Sequence, residues 1–203
     1  MTVYRFHFFA MDAYGHFIWD MTIRFITLRD FFRLRSVSKD IAMLKQYQPS
    51  VHLTHDMSEA ELVGCLNGIY GIERLDLSWR RTIGDAFLLL PNTIKCLYIT
   101  ELHITDMHVQ VLSSLPELTE LCMTWCTFKR NDLLCDLRAD KLVTLDLTCT
   151  KVFDVAVCHL AQLPQLNTLI LAHCGKLTDA CCNDLRKIKD CVVTGCNFDL
   201  LPR

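Results

Sequence analysis

An apolar phrase of the form L-x-x-L-x-L recurs along this chain, most plainly at Ile94 to Ile99, Leu118 to Met123, Leu142 to Leu147 and Leu166 to Leu171. With its second apolar residue as the marker, the phrase falls at Val51, Leu75, Leu97, Leu121, Leu145, Leu169 and Cys191, in steps of 24, 22, 24, 24, 24 and 22 residues. A fixed period of this size restricts the chain to a stack of like units, because one unit cannot bury its own apolar edge and must be sealed by the next. Such a stack offers surface and no deep pocket, so it predicts binding rather than catalysis.

Within each unit the phrase reads as a short strand, and the remainder as a turn followed by a helix. Val109, Leu112 and Leu115 before Pro116 show the helical step, as do Val157, Leu160 and Leu163 before Pro164. Seven phrases side by side make a parallel sheet. Strand alternation turns His52, Asp76, Tyr98, Cys122, Asp146, Ile170 and Val192 outward, flanked by Ser50, Arg74, Cys96, Glu120, Thr144, Thr168 and Asp190. A third column, Thr54, Ser78, Thr100, Thr124, Thr148, Ala172 and Thr194, suits strand structure and cross-strand hydroxyl bonding better than a site. Trp79, Trp125 and His173 fall just after the strands. Arg74, Asp76, Trp79, Tyr98, Glu120, Trp125, Asp146 and His173 are therefore the candidate partner-binding face, since aromatic contact area beside charge is a recognition mixture. The alternative for the two tryptophans is packing against neighbouring loops.

Composition narrows the partners. Lys plus Arg number 21 against 23 for Asp plus Glu, and a net charge of -2 makes no case for nucleic acid or an anionic membrane. No apolar run reaches the roughly 18 residues of a membrane span. Arg5 and His7 interrupt Met1 to Ala10 and Asp12 follows, which argues against a secretory leader. Twelve cysteines scattered through the phrases imply buried, reduced thiols and an intracellular compartment, cytoplasm or nucleus. No metal site is expected: Cys174, Cys181, Cys182, Cys191, Cys196 and His173 lack a C-x-x-C pair, and His52, His55 and Asp56 read as a solvated face. Cys158-His159 and His173-Cys174 are sequence neighbours that point apart, and neither phosphate-cradling glycine motif occurs, so no catalytic residue and no cofactor is expected.

Three residues beyond the last apolar member of each phrase stand Asp56, Arg80, Leu102, Cys126, Thr150, Cys174 and Cys196. With Ile104-Thr105-Asp106 and Leu177-Thr178-Asp179, this pattern resembles the cysteine-containing class of leucine-rich repeats. The resemblance implies an α/β fold: a right-handed solenoid of about seven repeats over residues 49–203, with a parallel sheet on the concave face and helices on the convex face. It also implies that Cys126, Thr150, Cys174 and Cys196 face inward to meet backbone carbonyls of the adjoining turn; the first three positions depart from the pattern. Many proteins of that class are substrate receptors of cullin-type ubiquitin ligases, in which an F-box docks on a Skp-type adaptor.

Residues 1–48 lack the phrase and show helical spacing instead, at Ile18, Thr22 and Phe25, at Phe25, Leu28 and Phe32, and at Phe31, Leu34, Ser38 and Ile41. With Thr27 as N-cap, this predicts one helix before it and another from about Arg29 to Lys45, ended by Pro49. Phe25 to Asp40 is similar to the later part of an F-box, with Asp30, Leu34, Val37, Ser38 and Lys39 fitting. The usual Leu-Pro opening is missing, and Asp40-Ile41 replaces the tryptophan that normally follows Lys39. The similarity implies that Leu28, Asp30, Phe31, Phe32, Leu34 and Val37 would meet the adaptor; the alternative is a capping helix pair over the first repeat. The basic residues Arg24, Arg29, Arg33, Arg35 and Lys39 read as a solvated helix face or as a contact for an acidic adaptor. The expected function is a non-enzymatic receptor that holds a protein ligand on its concave face, and the rival is a stand-alone repeat scaffold or regulator. At the other end, Cys191-Val192-Val193 precedes only Gly195 to Arg203, so the last strand needs cover from Phe198, Leu200 and Leu201 or from another subunit, unless the chain is a fragment.

Overall fold

Seven three-residue strands at the marker positions form one sheet. The computed structural model describes residues 4–11, 17–25, 50–52, 58–68, 72–79 and 83–198. In chain order its elements are strands β1 (Tyr4–Met11), β2 (Phe17–Phe25) and β3 (Ser50–His52), helix α1 (Glu59–Gly68), and strands β4 (Arg74–Asp76), β5 (Cys96–Tyr98) and β6 (His103–Ile104). Helix α2 (Asp106–Ser114), β7 (Glu120–Cys122), β8 (Thr127–Phe128), β9 (Thr144–Asp146), α3 (Asp154–Leu160), β10 (Thr168–Ile170), α4 (Cys182–Leu185) and β11 (Asp190–Val192) follow. Strands β3, β4, β5, β7, β9, β10 and β11 pair in that order, and all six pairings are parallel.

The register is the one the phrase marks: Val51, Leu75, Leu97, Leu121, Leu145, Leu169 and Cys191 are partners across the whole sheet. From Leu75 to Leu169 these central residues are fully buried, as are Ile99, Met123, Leu147 and Leu171 two positions on. Between the strands, helices alternate with 3-10 turns at Gly84–Leu89, Leu133–Asp136 and Asp179–Cys181. Val109 and Leu112 of α2, and Val157 and Leu160 of α3, are buried as their spacing predicts, and each helix or turn contacts the next along the back of the sheet. A parallel sheet must have its connections cross from strand to strand, and short helices satisfy those crossings while covering one face.

Each strand leads into the same turn. Trp79, Glu101, Trp125, Cys149, His173 and Gly195 occupy equivalent positions and all have positive φ, between 57° and 73°. The backbone N–H of each of the first five donates to the carbonyl of the third-column residue one unit ahead, Thr100, Thr124, Thr148, Ala172 and Thr194, at 2.8–3.1 Å. The left-handed residue thus extends the ladder beyond the strand. Third-column residues lie two positions past the strand ends; Ser78 and Thr100 are buried, and Thr100 Oγ1 lies 3.1 Å from Thr124 Oγ1.

The next position holds the thiols. Cys126 Sγ donates to Ile99 O at 3.3 Å, Cys174 Sγ to Leu147 O at 3.2 Å and Cys196 Sγ to Leu171 O at 3.0 Å, each bond reaching back to the preceding unit. Thr150 Oγ1 donates within its own unit, to Leu147 O at 2.7 Å. Burial pushes the Cys126 thiol up to about 12 and raises Cys174 and Cys196 as well, so all three stay protonated donors. Leu102 fills the same place by apolar packing alone. All eleven cysteines with described side chains are free.

Ties between neighbouring units continue on the back. Asp154 accepts from Thr178 N and Oγ1 at 2.9 and 2.6 Å, and Asp106 accepts from Lys129 Nζ and Arg130 Nε at 2.7 and 3.1 Å. Arg130 also bonds Asp132 and Asp136. Lys129, with Arg130 after it, holds the Asp106 carboxyl down to about 2.

The N-terminal element departs from its predicted helix. Phe17–Phe25 is a strand that pairs antiparallel with Tyr4–Met11, and β1 lies beside β3. Six of its nine residues, Phe17, Ile18, Trp19, Thr22, Ile23 and Phe25, are β-branched or aromatic. Over so short a window, steps of three and four also fit by chance, and strand preference decides. Leu28, Asp30, Phe31, Phe32, Leu34 and Val37, and the predicted helix from Arg29 to Lys45, lie outside the described residues. At the C-terminal edge Phe198 is half-buried against the core; Leu200 and Leu201 lie outside the described residues. Among the described residues, no helix is long and apolar enough to cross a membrane.

Two measurements test this account. Leu145→Ala should lose about 2–5 kcal/mol in denaturant titration, whereas Val192→Ala, on the outward face, should change stability by under about 0.5 kcal/mol. His108 supplies the second. Its Nδ1 accepts from Thr105 N at 3.1 Å at the start of α2, its Nε2 is buried without a hydrogen-bond partner, and its ring meets Phe87 edge-on at 4.7 Å. Burial first, then His103, lowers its pKa from the usual value of about 6.5. The unfolded chain therefore binds this proton more readily than the folded one, so the stability present above pH about 6.5 falls as the pH drops through the folded-state pKa. His108→Gln should remove that part of the pH slope between pH 7 and 5; an unchanged slope would assign it elsewhere.

Candidate functional site

The outward face of the sheet divides into residues already engaged and residues left open. Arg74 of β4 donates from Nη2 to Tyr98 Oη of β5 at 2.7 Å, and Tyr98 Oη donates to Glu120 Oε1 of β7 at 2.5 Å. The Arg74 and Glu120 charges lie 3.8 Å apart, and the guanidinium sits 6.0 Å from the Tyr98 ring centre. Burial, then the bond to Glu120, pushes the Tyr98 hydroxyl up to about 12, so it stays a donor. Cys96 lies beside this relay, and burial, then Glu120, pushes its thiol up to about 11. Three strands thus share one polar chain, with a sulfhydryl too weakly acidic to serve as a nucleophile at neutral pH.

Asp76 and Asp146 fold back on their own strands. Asp76 Oδ1 accepts from Ser78 N at 2.9 Å and Asp146 Oδ1 from Thr148 N at 2.8 Å, the same side-chain turn in two units. The sequence carries the signal as Asp-Leu-Ser and Asp-Leu-Thr in one register, which a reading of outward charge alone passes over.

Trp79 and Trp125 project from the left-handed turns and are 58% and 59% exposed. A bulky residue at positive φ is strained by roughly 1–2 kcal/mol, and here that conformation belongs to the turn shared by six successive units. His173 occupies the equivalent turn two units after Trp125 and is exposed while Cys174 beside it is buried, as their alternation predicts. Trp125 and His173 face one open cleft of 590 Å³, with Cys149, Lys151, Gly175 and Lys176 also in its wall. These four were not singled out from sequence, although the constant offset from the marker would have placed Cys149 in the same column as the two rings.

The structure therefore brings Arg74, Tyr98 and Glu120 into one contact and sets Trp125 and His173 around one cleft, while Asp76 and Asp146 bond their own strands and Trp79 projects from its turn. No group of three or more metal-ligating side chains occurs among the described residues. In comparison with known proteins, no family model matches the chain and no curated sequence matches it.

The strained turn yields a prediction. Trp125→Gly should remain within about 1 kcal/mol of the wild type in denaturant melts, because relief of the left-handed strain offsets the chain entropy of glycine. Trp125→Val, β-branched at positive φ, should be the less stable of the two.

Proposed function

We propose that the chain is a leucine-rich repeat solenoid that acts as a non-enzymatic protein-binding module. The observation that carries this reading is the in-register sheet, whose outward face presents Arg74, Tyr98 and Glu120 while exposed tryptophans stand along its edge. Thiols that bond back to carbonyls of the preceding unit, as the resemblance to the cysteine-containing class implies, support the repeat assignment. By the F-box-like stretch from Phe25 to Asp40, the module is a substrate receptor of a cullin-type ubiquitin ligase, with catalysis left to its partners. It works in a reduced cytoplasmic or nuclear compartment.

A second reading has its own observation. The hairpin of β1 and β2, with β1 beside β3, suits an N-terminal element that covers the first layer of a stand-alone scaffold. Co-elution separates the two. The full-length chain mixed with a purified Skp-type adaptor should elute as a complex, and Leu34→Asp should abolish it. If the folded wild type fails to associate, the ligase role falls and the scaffold reading takes its place.

A further inference from the structure

Four lysines of the described residues each meet a carboxylate, whereas Arg138 bonds carbonyls and His159 instead. Lys95 meets Glu73 at 2.9 Å, Lys129 meets Asp106 at 2.7 Å, Lys141 meets Glu117 at 2.7 Å and Lys187 meets Asp184 at 2.6 Å. Lys151 and Lys176 have no carboxylate partner among the described residues, and both line the cleft that holds Trp125 and His173. They follow the left-handed turns of two successive units, so the fold sets both residues on one cleft.

The walls of the cleft are fixed by the backbone. Its floor is Thr150, buried and bonded to Leu147 O at 2.7 Å, with Cys174 Sγ 3.7 Å away. Asn197 Nδ2 donates to Gly175 O at 2.6 Å and ties down the loop that carries Lys176. Gly195 lets the His173 ring lie against the next turn: a Cβ added there would fall 2.3 Å from His173 Nδ1. A side chain at the equivalent turn of the last layer would displace the imidazole. Trp125 supplies an exposed indole on the opposite side, held out by its left-handed backbone.

We infer that this cleft binds an acidic peptide segment, an anionic side chain lying between Lys151 and Lys176 while an adjoining apolar group rests on Trp125. The inference rests on the reading of the chain as a protein-binding module and names the ligand chemistry for one part of its surface. Ammonium groups act as point charges for carboxylate or phosphate, and an indole adds contact area at little entropy cost. The occupant is a peptide rather than a nucleic acid, because two ammonium groups in a single cleft provide no track for a phosphate backbone and the net charge is -2.

A random-peptide display library panned against the full-length protein tests this, with full-length K151E/K176E and Tyr98→Ala as controls. Both lysines are exposed, so the double variant should fold with an unchanged melting curve. Peptides selected on the wild type should be enriched in Asp and Glu, weaken with added salt, and bind K151E/K176E at least about tenfold less tightly. Replacing the critical acid by Gln should abolish binding; phosphoserine at that place should bind more tightly if the natural anion is a phosphate and less tightly if it is a carboxylate. Winners without acidic enrichment, or with full affinity for K151E/K176E, overturn the inference. If such winners fail on Tyr98→Ala, the sheet face is the binding surface and the module reading stands; a library that yields no binder overturns both.

Discussion

The structure depends on a backbone ladder that does not stop where the strands stop. Three-residue strands supply too few bonds to fix a parallel sheet by themselves. Here the N–H groups of Leu77, Ile99, Met123, Leu147 and Leu171 continue the pairing at 2.7–2.8 Å, and the left-handed residues two positions later add another bond per layer. Before each strand, the carbonyls of Glu73, Lys95, Thr119 and Val143 each accept two N–H groups of the following unit. Register is thereby passed from layer to layer, and the thiols and carboxylates that tie the units act on turns whose positions are already set. A left-handed turn filled by Trp or His is tolerable only inside such a frame, since the neighbouring bonds over-determine its conformation.

Much of this was legible because the phrase has a period of two inside a longer period. The central leucines and the buried helix positions Val109, Leu112, Val157 and Leu160 follow from counting, and the inward Cys126, Thr150, Cys174 and Cys196 are as the resemblance to the cysteine-containing class implies. The failures have separate physical causes. Phe17 to Phe25 fits helix and strand spacing equally over nine residues, and its aromatic and β-branched content chose the strand. Gly84–Leu89 and Leu133–Asp136 wind as 3-10 turns. Apolar spacing does not distinguish these from a turn of α-helix. The side-chain turns by which Asp76 and Asp146 bond Ser78 N and Thr148 N were not read from sequence, because a short acidic side chain can serve its own backbone as well as a partner.

The candidate surface is consequently of two kinds. Across β4, β5 and β7 the polar groups satisfy one another, which fixes their side chains and lowers the entropy lost when something docks against them. Around Trp125 and His173 the backbone geometry holds the side chains out, and both are exposed. The first is a stiff plate, the second a receptive edge. Both owe their side-chain placement to positions counted from the same buried leucine.

The steps of 22 and 24 residues leave no trace on the front of the sheet. From Leu75 to Leu97 and from Leu169 to Cys191 the chain is two residues shorter, yet the strand register is unbroken, so the difference is absorbed between the strands. The outward columns consequently form a ruler with a constant graduation. At the usual strand spacing of about 4.8 Å, seven strands set their first and last marks about 29 Å apart, the length of eight or nine residues of extended chain. Changes of length confined to the back would alter the thickness of a layer and leave that graduation as it is.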